Sequence, residues 1–302
     1  MTVCEDRSHR LWAGTRDGLN RIEDGKITCF TTRQGLTNNA ITSLAEDRRG
    51  TLWIGTSGGG LNRFDGKSFS AYSTRNGLAH DIVWSVYVDP HDAIWVGTPA
   101  GLSRLAGGTI RTFTTMDGLP NDRILATLED RSGNLWIGTE GGGIARMKDG
   151  VISAYIAKLD PPLTFAATFY EDKEGTIWVG TWGNGLVRIR GDEVISCSSR
   201  NGLPEENVLQ VLEDDSGYFW MRGLANIFRV SKRDLDDFFS GRMAAVKSIV
   251  YGRAHGLKSS ESDGGGGQPT AIKGWDRTLW FTTTDGVATV NAGEPGGVQP
   301  QS

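Results

Sequence analysis

Apolar residues run through this chain in short bursts separated by polar turns, and the 3.6-residue spacing of an amphipathic helix is absent except at one place. The most regular bursts read LWIGT, IWVGT, LWIGT and IWVGT at residues 52–56, 94–98, 135–139 and 177–181. One tryptophan marks each copy: Trp12, Trp53, Trp95, Trp136, Trp178, Trp220 and Trp280, at intervals of 41, 42, 41, 42, 42 and 60 residues. Four strand-length runs alternate with turn chemistry inside each interval, with turns such as EDRRG, EDRSG and EDKEG between the first two. A period near 42 with four short antiparallel strands per copy predicts a propeller blade, and seven copies predict an all-β, seven-bladed β-propeller. The expected blades are 1–31, 40–73, 82–115, 123–156, 165–198, 207–252 and 268–292, with 293–302 a disordered tail.

The exception to the strand pattern is SKRDLDDFFSG in the long sixth interval. Ser231 followed by Asp234 resembles a capping box, and Leu235, Phe238 and Phe239 share one face before Gly241. A short helix is expected here, inserted between the third and fourth strands of blade six. The stretch SSESDGGGGQP then reads as a loop into blade seven.

The repeated glycines look like a phosphate cradle, but a P-loop needs the full GxxxxGK[ST] run ahead of a helix and none is present. They read instead as a close approach between blades at WxGT and a positive φ where GL opens the next strand. Linkers of the form GLTNNAI, GLAHDIV, GLPNDRI and GLPEENV precede the later first strands, and none precedes Val3. GVATVNAG supplies a third strand for blade seven with no convincing fourth after it. The expectation is an incomplete last blade in a piece of a longer chain.

Composition adds exclusions. With 302 residues and 38% hydrophobic content the chain supports one large domain that buries about three quarters of its unfolded surface. Lys and Arg are scattered and the net charge is −4, unlike the basic stripe of a nucleic-acid binder. Cys4, Cys29 and Cys197 form no metal-like or disulfide spacing. No apolar run reaches membrane-spanning length, and TVCEDRSHR after Met1 has no signal-peptide pattern.

LWIGTSGGGLNRFDG, LWIGTEGGGIARMKDG and IWVGTWGNGLVRIRG, with the linkers GLPND and GLPEEN, resemble the two-component regulator propeller repeats. These build the extracytoplasmic sensor regions of bacterial hybrid histidine kinases and related signalling proteins. The resemblance covers nearly the whole chain and implies a periplasmic or extracytoplasmic module within a longer receptor. Its implied partners are a small-molecule or oligosaccharide ligand, a second propeller and an immunoglobulin-like connector, with no nucleic acid and no membrane insertion by this segment. The repeat motifs themselves are structural and name no ligand.

Strand alternation places the interblade linkers and the loops after WxGT on one face, the mouth, and the EDRxG turns on the other. Mouth positions that break the repeat are therefore the candidate ligand contacts. After the GT these are Arg16, Ser57, Pro99, Glu140 and Trp182, while Arg222 replaces the glycine of blade six. Trp182 offers a flat apolar face with an edge N–H, suited to a sugar ring or an aromatic ligand. The plainer account is a tryptophan covering a neighbouring blade. Arg222 suits a carboxylate or sulfate, or pairs with an acid of the next blade. His80, Asn121, Arg123, Glu206 and Asn207 stand in the linkers, where turn and cap roles compete with binding. Gln268 aligns with the start of blade seven. Ser43, Ser85, Ala126 and Ala167 are read as one structural column of small residues.

The stacked carboxylates of the EDRxG turns read as hairpin residues, and no metal site, cofactor or catalytic constellation is expected. The leading reading is a non-catalytic ligand-sensing module. Its alternatives are a propeller lyase of the streptogramin-opening type, for which His80 and His255 are the mouth-face histidines, and a protein-interaction platform.

Overall fold

The computed structural model describes residues 1–155, 159, 161–252, 255, 268–284, 286–291 and 298–301. Its strands form seven four-stranded antiparallel sheets, each made of four consecutive strands, as expected of a seven-bladed β-propeller. The sheets span 2–30, 41–72, 85–113, 124–155, 166–197, 210–251 and 271–301. The first four sheets with residues 268 and 269 make one compact unit, and the last three make another. The loop read at SSESDGGGGQP lies outside the described residues apart from Gln268 and Pro269.

The seventh sheet corrects one expectation. Val298–Gln301 pairs antiparallel with Gly286–Asn291 as a fourth strand, where an incomplete blade and a disordered tail over 293–302 were expected. Val-Gln-Pro-Gln carries almost no apolar alternation, so periodicity could not find it. Edge pairing requires backbone groups, and an edge strand is where a proline such as Pro300 is tolerated.

Within each unit the cores lie between adjacent sheets. Trp12, Leu19, Ile41, Leu44, Ile54 and Phe64 fill the space between the first two sheets, and Trp178, Val208, Val211, Phe219 and Phe228 that between the fifth and sixth. The glycine of WxGT lets these sheets approach. A Cβ on Gly55 would lie 2.6 Å from Val83 Cγ1, and one on Gly97 would lie 2.8 Å from the carbonyl oxygen of Ile124. Thr168, and not Ala167, stands opposite Gly180 and joins Ser43, Ser85 and Ala126 in the column of small residues. The spacing to the strand tryptophan is the signal: Ser43, Ser85, Ala126 and Thr168 each precede theirs by ten residues, and Ala167 does not.

The EDRxG turns carry a repeated device. In the second sheet Asp47 Oδ1 accepts the backbone N–H of Arg49 and of Thr51, both at 2.9 Å, while Oδ2 accepts the indole N–H of Trp53 at 3.0 Å. Asp6, Asp89, Asp130, Asp172 and Asp214 bond the tryptophan six residues on in the same way, at 2.7 to 2.9 Å. An arginine on the third strand stands opposite each of these tryptophans, from Arg21 opposite Trp12 to Arg229 opposite Trp220. Arg21, Arg104, Arg146 and Arg229 lie over the indole rings at 5.2 to 6.0 Å. The carboxylates read as hairpin residues are thus acceptors for a buried donor.

Burial pushes the Asp6 carboxyl upward, but the Trp12 indole N–H and the backbone and guanidinium of Arg10 outweigh it and hold Asp6 below the usual carboxylate range. A depressed carboxyl contributes stability that is fully present above its unfolded value, about pH 4, and is lost as the pH falls through its folded value. Asp6→Asn is expected to flatten the acid limb of the stability profile below about pH 4, as measured by urea titrations at stepped pH. An unchanged limb would remove Asp6 from the acid response.

The inserted helix is present. Lys232–Phe239 (α1) starts at Ser231, whose hydroxyl accepts the Asp234 N–H, and Leu235 and Phe239 are buried on the core of the fifth and sixth sheets. Lys232 reaches Asp172 and Glu174 of the fifth sheet, at 3.5 and 3.0 Å, bracing α1 against it.

Candidate functional site

The linkers into the second, third, fourth and sixth sheets begin with a single 3₁₀ turn, and local chemistry specifies it. Thr31 and Gln34, Ser73 and Asn76, Thr114 and Asp117, and Ser198 and Asn201 form reciprocal capping boxes. Each turn ends on a glycine with φ between 102° and 112°, followed by a buried leucine. The loops after WxGT are bonded to these linkers, so both occupy one end of their sheets. In the first unit Gly58 and Gly60 N–H donate to the Asp81 carbonyl at 3.2 and 2.7 Å; in the second, Gly183 and Gly185 N–H donate to that of Glu206 at 3.2 and 2.8 Å. This is the arrangement the strand alternation predicts for the mouth.

In the first unit the structure brings Arg123 and Glu140 together. Arg123 Nε and Nη2 donate to Glu140 Oε2 at 3.0 and 2.7 Å, and the Glu140 N–H donates to the Arg123 carbonyl at 2.8 Å. The Arg123 guanidinium lies over the Trp84 ring at 5.1 Å from its centroid. Asn121 Oδ1 accepts the Arg123 N–H at 2.9 Å, and His80 Nδ1 accepts the Ile82 N–H at 2.9 Å, so both side chains serve as turn caps. The proton of a neutral His80 therefore sits on Nε2. Arg16 is exposed in its loop. Gln268 works through its backbone: its carbonyl accepts the Ser43 hydroxyl at 2.6 Å and the Leu44 N–H at 3.2 Å.

In the second unit Trp182 is paired with Asn207 through a backbone bridge, and the residue is 36% exposed. Its N–H also donates to the Phe165 carbonyl at 3.3 Å, which fixes the loop that presents the ring. Glu206 Oε1 accepts the Ser199 hydroxyl, a linker cap. Arg222 is buried, 1% exposed, with Nη1 donating to Thr282 Oγ1 at 3.1 Å. It sits between the sixth and seventh sheets, away from solvent, at the position where the first five sheets carry glycine and the seventh carries Thr282.

Two mouth residues escaped the sequence reading. Trp84 falls outside the WxGT phase, and that displacement was the available signal. Glu205 precedes the two linker residues that were singled out. Its Oε1 accepts the Asn226 N–H and its Oε2 the Leu224 N–H, at 2.9 and 2.8 Å, so it caps the loop of the sixth sheet. Nothing in a lone glutamate of a linker announces a loop twenty residues away.

His80 lies in the first unit and His255 in the second, where its ring packs against Tyr251 with centroids 5.2 Å apart. Among the described residues no group of three or more His, Cys, Asp or Glu is placed to hold a metal ion. Burial pushes the Cys197 thiol up to about 12, with the Glu206 carboxylate adding to the shift, so this thiol is held as the unreactive acid.

A family model described as two component regulator propeller matches residues 35–58, 118–141 and 161–183. The chain carries two-component regulator propeller repeats. The first two matched stretches open on the capping glycines Gly35 and Gly118, and all three run through the tryptophan strand into its loop, so the repeat unit is the hydrogen-bonded linker-and-loop element described above. No curated protein sequence matches the chain. Among solved structures, the extracellular domain of the hybrid two-component system BT3049 from B. thetaiotaomicron is 18% identical with a TM-score of 0.76, over 96% of this chain and 39% of that one. The extracellular domain of BT4673 from the same organism is 22% identical with a TM-score of 0.50, over 99% and 42%. Virginiamycin B lyase from Staphylococcus aureus, solved with quinupristin, is 15% identical with a TM-score of 0.64, over 86% and 83%. At these identities the likeness is one of fold. The chain spans about two fifths of the length of these two sensor domains. Among the described residues no helix is long and apolar enough to cross a membrane.

Proposed function

We propose that this chain is a non-catalytic, ligand-sensing propeller of a bacterial transmembrane two-component-type receptor, working outside the cytoplasm. The observation that carries the reading is the regulator propeller repeat itself, matched at three places in a fold like that of hybrid two-component extracellular domains. A second propeller and an immunoglobulin-like connector of the same receptor are its proposed structural partners. A small molecule or oligosaccharide is the proposed ligand, met by mouth loops that are stiffened by backbone bridges. Trp182 supplies an aromatic face on a fixed loop, and Arg123, Glu140 and Trp84 form a preorganised stack in the other unit.

Calorimetric titration of the purified chain with a saccharide and small-molecule panel tests this. Trp182→Ala is expected to weaken binding of a hit about tenfold, the effect of losing one stacked aromatic, while the melting temperature stays within about 2 °C. Mass analysis of the same mixtures should return the ligand unchanged. Catalytic consumption of a panel member, above all a cyclic streptogramin, would instead establish the lyase reading that the likeness to virginiamycin B lyase keeps open.

A further inference from the structure

Six sheets share the Asp–Trp–Arg device, and the seventh lacks both of its charged members. Its turn has the same backbone as the others: the Gly274 N–H donates to the Thr278 carbonyl at 2.8 Å, as Asp47 does to Thr51 at 3.0 Å. Gly274 nevertheless stands where the aspartate should be, six residues before Trp280. The nearby Asp276 carboxylate is occupied by the Thr278 N–H and hydroxyl, both at 2.9 Å. Opposite Trp280 stands Thr289 instead of arginine, and Trp280 is half-buried where the six other repeat tryptophans are buried.

What holds the seventh sheet in its unit comes largely from the sixth. Leu279, Phe281, Ala288 and Val290 pack with Trp220, Ile227 and Tyr251. Arg222 donates to Thr282, and Gln210 Oε1 accepts the Thr270 N–H at 3.2 Å. Asp215 takes Lys273 at 2.6 Å and Arg277 at 3.2 Å.

We infer that the seventh sheet is the compliant element of the fold: it opens locally before the others, and its order depends on the sixth sheet. Each charged hydrogen bond to a buried donor deepens the well of the sheet that owns it, and local opening is drawn from the elements that lack such bonds. The Asp–Trp bond also ties the turn to the strand that follows, so a sheet without it lacks that side-chain tie. A sheet of this kind can change its order without unfolding its neighbours, which is what a conformational signal needs. The inference is independent of the ligand and of the receptor reading.

Amide hydrogen exchange of the full chain, resolved by peptide, tests it. Amides of Thr278–Thr283 are expected to exchange about tenfold or more faster than those of Leu135–Thr139 and Tyr218–Arg222. Gly274→Asp with Thr289→Arg should slow the seventh sheet about tenfold and leave the others unchanged. The reciprocal pair, Asp130→Gly with Arg146→Thr, should bring Leu135–Thr139 to the exchange rate of the seventh sheet and guards against a first variant that fails to fold. Equal protection of all three strands in the unsubstituted chain would overturn the inference. So would fast exchange in the seventh sheet with no acceleration of Leu135–Thr139 in the reciprocal variant.

Discussion

Gly180→Ala is expected to destabilise the second unit by about 3 kcal/mol, the upper range for overpacking a close-packed interior. The added methyl would lie 2.5 Å from the carbonyl oxygen of Val208 and 2.6 Å from Thr168 Cγ2, and real Cβ atoms do not approach so closely. Retreat of a side chain cannot relieve the first contact, because the obstacle is backbone. The Val208 N–H donates to the Thr181 carbonyl at 2.8 Å, so moving that backbone also strains the bond that seats the sixth sheet on the fifth. Separation of the two sheets would open the core that holds Trp178, Val211 and Phe219. Gly252→Ala is the control, since nothing lies within 4 Å of its added methyl and its φ is not in the left-handed region. It should change stability by less than about 0.5 kcal/mol. Urea unfolding of both variants, followed by tryptophan fluorescence, separates the cases; equal midpoints would show that sheet approach at WxGT does not require glycine.

The same glycine shows why the fold was legible in the sequence. A device that recurs from blade to blade writes itself into the chain at a fixed period, and the eye needs only the period. Trp12 through Trp280 therefore located the sheets, and the break in spacing located α1 through Ser231, Leu235 and Phe239. Features used once left no such trace. The fourth strand of the seventh sheet, Val298–Gln301, pairs through backbone and carries no pattern. Thr168 took the place expected of Ala167, and here the periodic signal was present, since Thr168 keeps the ten-residue distance to its tryptophan that Ser43, Ser85 and Ala126 keep.

The candidate site was legible only as a face. Alternation of strands correctly grouped linkers with the loops after WxGT, but which side chains reach solvent depends on neighbours distant in sequence. Trp182 and Asn207 were brought together by a backbone bridge, and Arg123 and Glu140 by an ion pair, whereas Arg222 was drawn inward to Thr282. Its charge marked it as exceptional, yet a repeat-breaking arginine looks the same in sequence whether it points to a ligand or fills a gap between sheets.

Asp172→Ala is expected to cost about 4 kcal/mol, the loss of a carboxylate that satisfies several donors at once. Its Oδ1 accepts the N–H of Glu174 and of Thr176 at 3.0 and 2.9 Å, and its Oδ2 accepts the Trp178 indole N–H at 2.8 Å. Trp178 has no exposed surface, so in the alanine variant its N–H is stranded where no water replaces the acceptor. Lys232 also loses one of its three carboxylate partners, which loosens the start of α1. Asp172→Asn keeps the shape and one acceptor, and should cost about half as much because the remaining bonds are no longer to a charge. The exposed pair Lys273 and Asp215 is the contrast: Asp215→Ala should change stability far less than either substitution of Asp172, as water screens a surface ion pair. The graded order alanine, asparagine, then Asp215→Ala in thermal and urea unfolding would establish the turn carboxylate as the clamp of the six blades that carry it. An Asp172→Ala variant as stable as the unsubstituted chain would reduce it to a hairpin residue, the reading that its regular return in the sequence first suggested.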